Sequence, residues 1–340
     1  MYTISSKRLC SLLTAGALAA LSLFGCRSLA SSDGQTELTL SEVAHSVFYA
    51  PQYAAIELGY FEEEGIDLTL VNAGGADKVM TSLISGDAQI GFMGSEASIY
   101  VYQEGSDDPA INFAQLTQRA GNFLVSRRAE EAFRWQDLKG KKVLGGRAGG
   151  MPQMVFEYIL KKNGLDPSSD LTIDQSISFG LTAAAFTSSD ADYTIEFEPF
   201  ATTLEMEGNG AVVASLGTES GYVPYTAYSA RKSYLKQHPE VIQSFTNAIQ
   251  KGLDYVNSHT SEEIARVISP QFKETPMDKL ALIVERYKSQ DTWKEDTVFE
   301  ESSFTLLKRI LEEAGELKAE VPYSELVTMD FSKKAAKNSQ

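Results

Sequence analysis

Sulfur and imidazole are scarce in this chain. Its 340 residues hold two cysteines, Cys10 and Cys26, and three histidines, His45, His238 and His259, which lie far apart in sequence. Cysteines confined to the N-terminus leave no thiol further along for a disulfide, and there is no Cys pair or H-E-x-x-H run to hold zinc. A G-x-S-x-G elbow is absent, and so is a G-x-x-x-x-G-K-[ST] phosphate loop, because Gly150 is followed by Met151-Pro152 rather than Lys-Ser. Positive charge is also short: 30 Lys and Arg stand against 46 Asp and Glu, a formal charge of -16. Such a chain is repelled by nucleic acid and by an anionic bilayer surface, so no nucleic-acid partner is expected; the missing zinc and phosphate-loop motifs leave no metal or cofactor expected.

The N-terminus departs from the rest. Lys7 and Arg8 precede an apolar stretch from Leu9 to Phe24, too short for a bilayer span and read as an export signal over residues 1–25. It runs into Leu23-Phe24-Gly25-Cys26, which resembles the lipobox of bacterial lipoproteins, where the cysteine is lipidated and becomes the mature N-terminus. Loss of residues 1–25 removes two positive charges, Lys7 and Arg8, and no acid, so -16 becomes -18. A diacyl chain on Cys26 would then be the only membrane contact, and residues 26–36 a small, polar tether.

From Glu37 onward strands and helices alternate. Leu38, Leu40 and Val43 suggest a strand, Pro51 to Leu58 a helix, Ile66, Leu68 and Leu70 a half-buried strand, Ala76 to Ile84 a helix, and Ala88 to Met93 a buried strand. The same order recurs in Lys142–Leu144, Pro152–Lys162, Leu171–Ile173 and a helix near Leu181–Thr187. The later Ser188-Ser189-Asp190-Ala191 echoes Ser85-Gly86-Asp87-Ala88, which suggests two lobes of similar build. These are α/β patterns with a mainly parallel sheet in each lobe. The last third reads as helices, with Val241, Ile242, Phe245, Ala248, Ile249, Leu253 and Val256 at helical spacing, then Glu262–Ile268, Met277–Ser289 and Phe304–Ala314. Ser332–Gln340 is expected to fray.

Chemistry would sit where strands feed helices. In the run 145–154, GGRAGGMPQM, flexible glycines lead to a helix start whose free N–H groups can donate to carbonyls, ring nitrogens or anions, or merely make a tight turn. Glu196-Phe197-Glu198-Pro199-Phe200 sets carboxylates among aromatics at a strand end, although either glutamate could be a solvated charge at a helix start. His45, Ser46, Phe48, Tyr49 and Gln52 form a third candidate, with rings suited to stacking; His45 could equally be structural. Gly94, Ser95 and Glu96 make a fourth, and Tyr222 and Tyr225 a fifth, near the expected return from one lobe to the other.

Taken together, A-P-Q-Y-x-A-x-x-x-G-Y-F-E-E-E-G-I-D at Ala50–Asp67, L-x-S-G-D-A-x-I-G at Leu83–Gly91, D-L-K-G-K-x-V at Asp137–Val143 and the G-G-M-P opening resemble the solute-binding lipoproteins of ABC importers. The branch is that of thiamine-pyrimidine, sulfonate, nitrate and riboflavin binders. The resemblance implies a two-lobed clam-shell, with lobe 1 from 37–121 and 226–340 and lobe 2 from 122–225. It implies a cleft lined by the Ser46–Gln52 loop, Gly94–Glu96, Gly149, Gly150 and Met151, and Glu196–Glu198. It further implies a monomer that delivers its cargo to a permease and ATPase, anchored outside the cytoplasm. Two glutamates disfavour an anion and favour an N–H-rich heteroaromatic such as a thiamine-pyrimidine precursor, with riboflavin or a sulfonate- or nitrate-type anion as alternatives. A pyrimidine-precursor synthase would need Lys78 or His45 in the cleft, and a surface adhesin or sensor would leave the cleft empty.

Overall fold

In the computed structural model, residues 34–177 and 180–338 are described. Export signal, lipobox and Cys26 lie outside them, as do Ser178, Phe179, Ser339 and Gln340. The described residues from Thr36 onward form one compact unit.

Two five-stranded sheets organise it, ordered β2-β1-β3-β10-β4 and β7-β6-β8-β5-β9. The first holds β1 (Thr36–Glu42), β2 (Ile66–Asn72), β3 (Ile90–Gly94), β4 (Ala110–Thr117) and β10 (Thr226–Arg231); the second holds β5 (Asn122–Ser126), β6 (Lys142–Leu144), β7 (Thr172–Asp174), β8 (Tyr193–Phe197) and β9 (Ala211–Ser215). Only β10 runs against its neighbours in the first sheet and only β5 in the second. The expected mainly parallel α/β clam-shell fold is therefore present, with one reversed strand inserted in each sheet. The chain leaves the first sheet after Thr117 and returns to it at Thr226, so both reversed strands follow a passage from one sheet to the other.

The expected strands and helices form close to their predicted places. Strands β4, β5, β9 and β10 were not foreseen; β4 and β5 are buried along their whole length, so they carry no apolar/polar alternation. The Pro239–Ser258 helix buries Ile242, Phe245, Ile249, Leu253 and Val256, a stripe that each side chain stabilises by about 1.5–3 kcal/mol on burial. It lies so close to the Ala50–Glu57 helix that a Cβ at Gly252 would strike the carbonyl of Pro51. The C-terminal expectation fails: Asp330–Asn338 is a helix, held by buried Ser332, whose hydroxyl donates to the Phe113 carbonyl at 2.6 Å, and by buried Ala335. That hydrogen bond, the buried Ala335 and the edge-on packing of Phe331 on Phe113 dock a segment too polar to read as packed. No helix among the described residues is long and apolar enough to cross a membrane.

Candidate functional site

A cavity of about 870 Å³, its open mouth included, lies between the two sheets. Its wall is built from the carboxyl ends of the co-directional strands and the amino ends of the reversed ones. Val43 follows β1, Gly94 ends β3, Gly146 follows β6, and Ile195, Glu196 and Phe197 end β8, while Asn122 and Thr226 open β5 and β10. Helices begin on it at Ala76, Glu96, Met151, Thr182 and Phe200, so free backbone N–H groups face it from several sides.

Seven of the sequence-derived candidates line this space: Tyr49, Gly94, Glu96, Gly150, Met151, Glu196 and Tyr225. Tyr49 is buried edge-on against Phe92, 4.5 Å between ring centroids, and beside Phe48. Tyr225 donates its hydroxyl hydrogen to Asn122 Oδ1 at 2.9 Å. Both phenols are held well above their ordinary pKa, chiefly by burial and also by the nearby charge of Glu96, so they stay protonated donors.

The two cavity carboxylates are the electrostatic feature of the site. Burial raises Glu96 to about 7, against the opposing pull of the N–H groups of Glu96 and Met151 and of the Arg147 charge. Burial raises Glu196 to about 7 as well, although Thr194 Oγ1 at 2.6 Å and Thr182 Oγ1 at 2.9 Å donate to it. A Cβ at Gly94 would run into the Glu96 carboxylate, so any larger residue there would displace that side chain. At the rim, Arg147 pairs with Asp77 at 3.2 Å, and Tyr100 donates to the Gly149 carbonyl at 3.0 Å, tying the two sides of the opening together.

The remaining candidates stand elsewhere. His45 shares a proton with Glu42 at 2.9 Å and meets the Gln271 carbonyl at 2.9 Å, its basicity raised by the Glu42 hydrogen bond. Gln52 donates to Glu42 at 2.8 Å and accepts from Tyr228 at 2.9 Å, so both belong to a buried network behind the wall. Ser46 caps a short 3-10 turn and donates to the Glu198 carbonyl at 2.8 Å, while Phe48 packs on Phe197, Tyr225 and Tyr287 without lining the cavity. Ser95 donates to the Pro224 carbonyl. Gly149, at φ +75°, shapes the turn before Met151, its N–H donating to Gln153 at 2.9 Å.

Glu198 is fully buried away from the cavity: it accepts from the Thr202 N–H and hydroxyl, both at 2.9 Å, and pairs with Arg286 at 2.8 Å. The same guanidinium reaches Glu205. Tyr222 is exposed, stacked under Arg119 and donating to Asp291 at 2.7 Å. Lys78 is exposed and does not line this cavity, so neither residue proposed for synthase chemistry is among its wall residues.

Sequence reasoning missed Asn122, Arg147, Thr182 and Phe200 as wall residues. Arg147 lay within the glycine-rich run and Phe200 within the Glu196–Phe200 run, so both were within reach. Asn122 carried no signal, because nothing local marks a strand's first residue as facing a cavity.

The chain matches the family described as "NMT1/THI5 like" over residues 47–263. A Bacillus subtilis (strain 168) protein described as "Putative binding protein YtlA" is 43% identical over 312 residues, 92% of this chain and 93% of that one. Among solved structures, the nitrate-binding protein NrtA of Synechocystis PCC 6803 superposes with a TM-score of 0.73 at 16% identity, covering 89% of each chain. The ligand-binding component of an ABC-type import system from Staphylococcus aureus gives 0.72 at 17% identity, covering 88% of this chain and 99% of that one. The fold, the matched segment and the Bacillus relative together make this chain a member of the NMT1/THI5-like family, with the two-lobed fold of periplasmic solute-binding proteins.

Proposed function

We propose that this protein is the extracytoplasmic capture subunit of an ABC importer, which closes two lobes over one small heteroaromatic ligand and hands it to a permease. The observation that carries this reading is one cavity between the sheets, walled by Tyr49, Phe197 and Tyr225 and by two buried carboxylates, Glu96 and Glu196. Flat rings suit the aromatic walls, and N–H groups suit the carboxylates; an oxyanion would sit against two acids. Lobe 1 (37–121 and 226–340) and lobe 2 (122–225) would part at the Arg147–Asp77 and Tyr100–Gly149 contacts to admit the ligand, and reform them on closure. Lipidation of Cys26 would keep the protein at the membrane; Cys26→Ser should then release it from the membrane fraction.

A nitrate- or sulfonate-type anion is the second reading, favoured by Arg147 and the start of the Met151–Lys162 helix on the same wall. A thermal-shift panel of aminomethylpyrimidines, riboflavin, taurine, alkanesulfonates and nitrate separates the two. Ligand at about 100 times its dissociation constant adds roughly 2.7 kcal/mol of stability. A shift with the aminopyrimidines is expected; a shift with nitrate or taurine alone would overturn the heteroaromatic reading.

A further inference from the structure

Two polar atoms on the cavity wall are buried and have no hydrogen-bond partner among the described residues: Glu96 Oε2 and Asn122 Nδ2. Most buried polar atoms in a folded protein are satisfied, so an orphan acceptor and an orphan donor in one cavity call for a partner that supplies both. The other wall carboxylate differs, since both Glu196 oxygens accept from threonine hydroxyls.

Asn122 meets the Tyr225 hydroxyl with its amide oxygen: Oδ1 accepts at 2.9 Å, which leaves Nδ2 as its only uncommitted end. Gly94 pairs with Thr226 across β3 and β10, so the turn bearing Glu96 and the Tyr225–Asn122 pair stand at the same strand ends. Tyr225 is close enough to Glu96 to feel its charge.

We infer that Asn122 is a specificity-determining residue: Nδ2 donates to a ring nitrogen of the ligand while Glu96 Oε2 accepts from an amine on the same molecule. This rests on the cleft-capture reading above and narrows it to amino-substituted nitrogen heteroaromatics. A ligand with acceptors alone, such as nitrate or a sulfonate, leaves Glu96 unanswered, and one with donors alone leaves Asn122 unanswered. An unpaired buried group is costly enough to make that a strong discrimination.

The test uses three probes that dissect the two contacts: 4-amino-2-methylpyrimidine, with both groups; pyrimidine, with ring acceptors only; and aniline, with a donor only. Calorimetry on the wild type should rank the first at least about tenfold above the other two. Asn122→Asp keeps the size of the side chain but replaces the donor with an acceptor. It should weaken 4-amino-2-methylpyrimidine and pyrimidine by about 10- to 100-fold and leave aniline unchanged. Glu96→Gln should weaken 4-amino-2-methylpyrimidine and aniline and leave pyrimidine unchanged. Should Asn122→Asp fail to fold, the Asn122 side-chain amide resonance of the wild type should move on addition of 4-amino-2-methylpyrimidine. Equal affinity for the three probes, no binding of any, a still amide resonance, or nitrate binding that ignores Asn122→Asp each overturns the inference. Capture itself is read separately: a small molecule released on denaturing the purified protein supports it even when all three probes fail.

Discussion

Glu196 and Glu198 stand two residues apart at the end of β8, yet they live in opposite regimes. Glu196 faces the cavity with two neutral hydroxyls as partners, and burial leaves it with a pKa near 7. Glu198 sits beyond the strand's last residue, fully buried against the Arg286 guanidinium, which it shares with Glu205. One region of the molecule keeps carboxylates without a committed cation, ready for a ligand; the other spends a cation on holding the Phe200–Met206 helix to the Met277–Ser289 helix. Chemical type alone did not separate them. What separates them is which neighbour the fold supplies.

The sharpest way to break the contrast is to remove the cation. Arg286→Met leaves Glu198 buried and unpaired, and urea unfolding should show a loss of about 3 to 5 kcal/mol with ligand affinity little changed. A loss of binding in a still-stable variant would place Arg286 in the site instead.

The cavity side answers to pH. Because folding raises Glu96 and Glu196 from 4.5 to about 7, the native state favours their protonated forms. Their contribution to stability is complete below about pH 4.5 and is lost as pH climbs toward 7, on the order of 3 kcal/mol for each group. The ligand-free melting temperature should therefore fall between about pH 5 and pH 8, and the double variant Glu96→Gln, Glu196→Gln should flatten that fall. An identical pH profile in the double variant would show that other groups carry it.

Smaller effects sharpen the same line. Gly94→Ala drives a methyl group into the Glu96 carboxylate and should cost about 1 to 3 kcal/mol, seen as weaker binding in calorimetry. Tyr222→Ala, at an exposed side chain, should change stability by no more than about 0.5 kcal/mol and leave affinity alone. A large change in affinity there would extend the site out to the Arg119–Asp291 surface.

Much of this architecture was legible because it repeats. Strand, helix and Ser-x-Asp-Ala turn recur in both lobes, and the loops at strand ends before Glu96 and Met151 lie on the cavity as read. Strands β4 and β5 were not legible, since burial on both faces removes the alternation by which a strand announces itself. The Asp330–Asn338 helix was hidden by its polarity, with only Ser332 and Ala335 buried. Glu198 was misplaced because its partner, Arg286, lies 88 residues further along the chain. Asn122 escaped because an unpaired amide becomes visible only when its neighbours are in place.

The most direct measurement is a paired calorimetric titration of Glu96→Gln and Glu198→Gln with whichever heteroaromatic stabilises the wild type, alongside their melting temperatures. Glu96→Gln should keep its fold and bind at least about tenfold more weakly, whereas Glu198→Gln should melt lower and bind as the wild type does. The reverse pattern, with Glu198→Gln losing the ligand and Glu96→Gln retaining it, would move the binding site out of the cavity between the sheets.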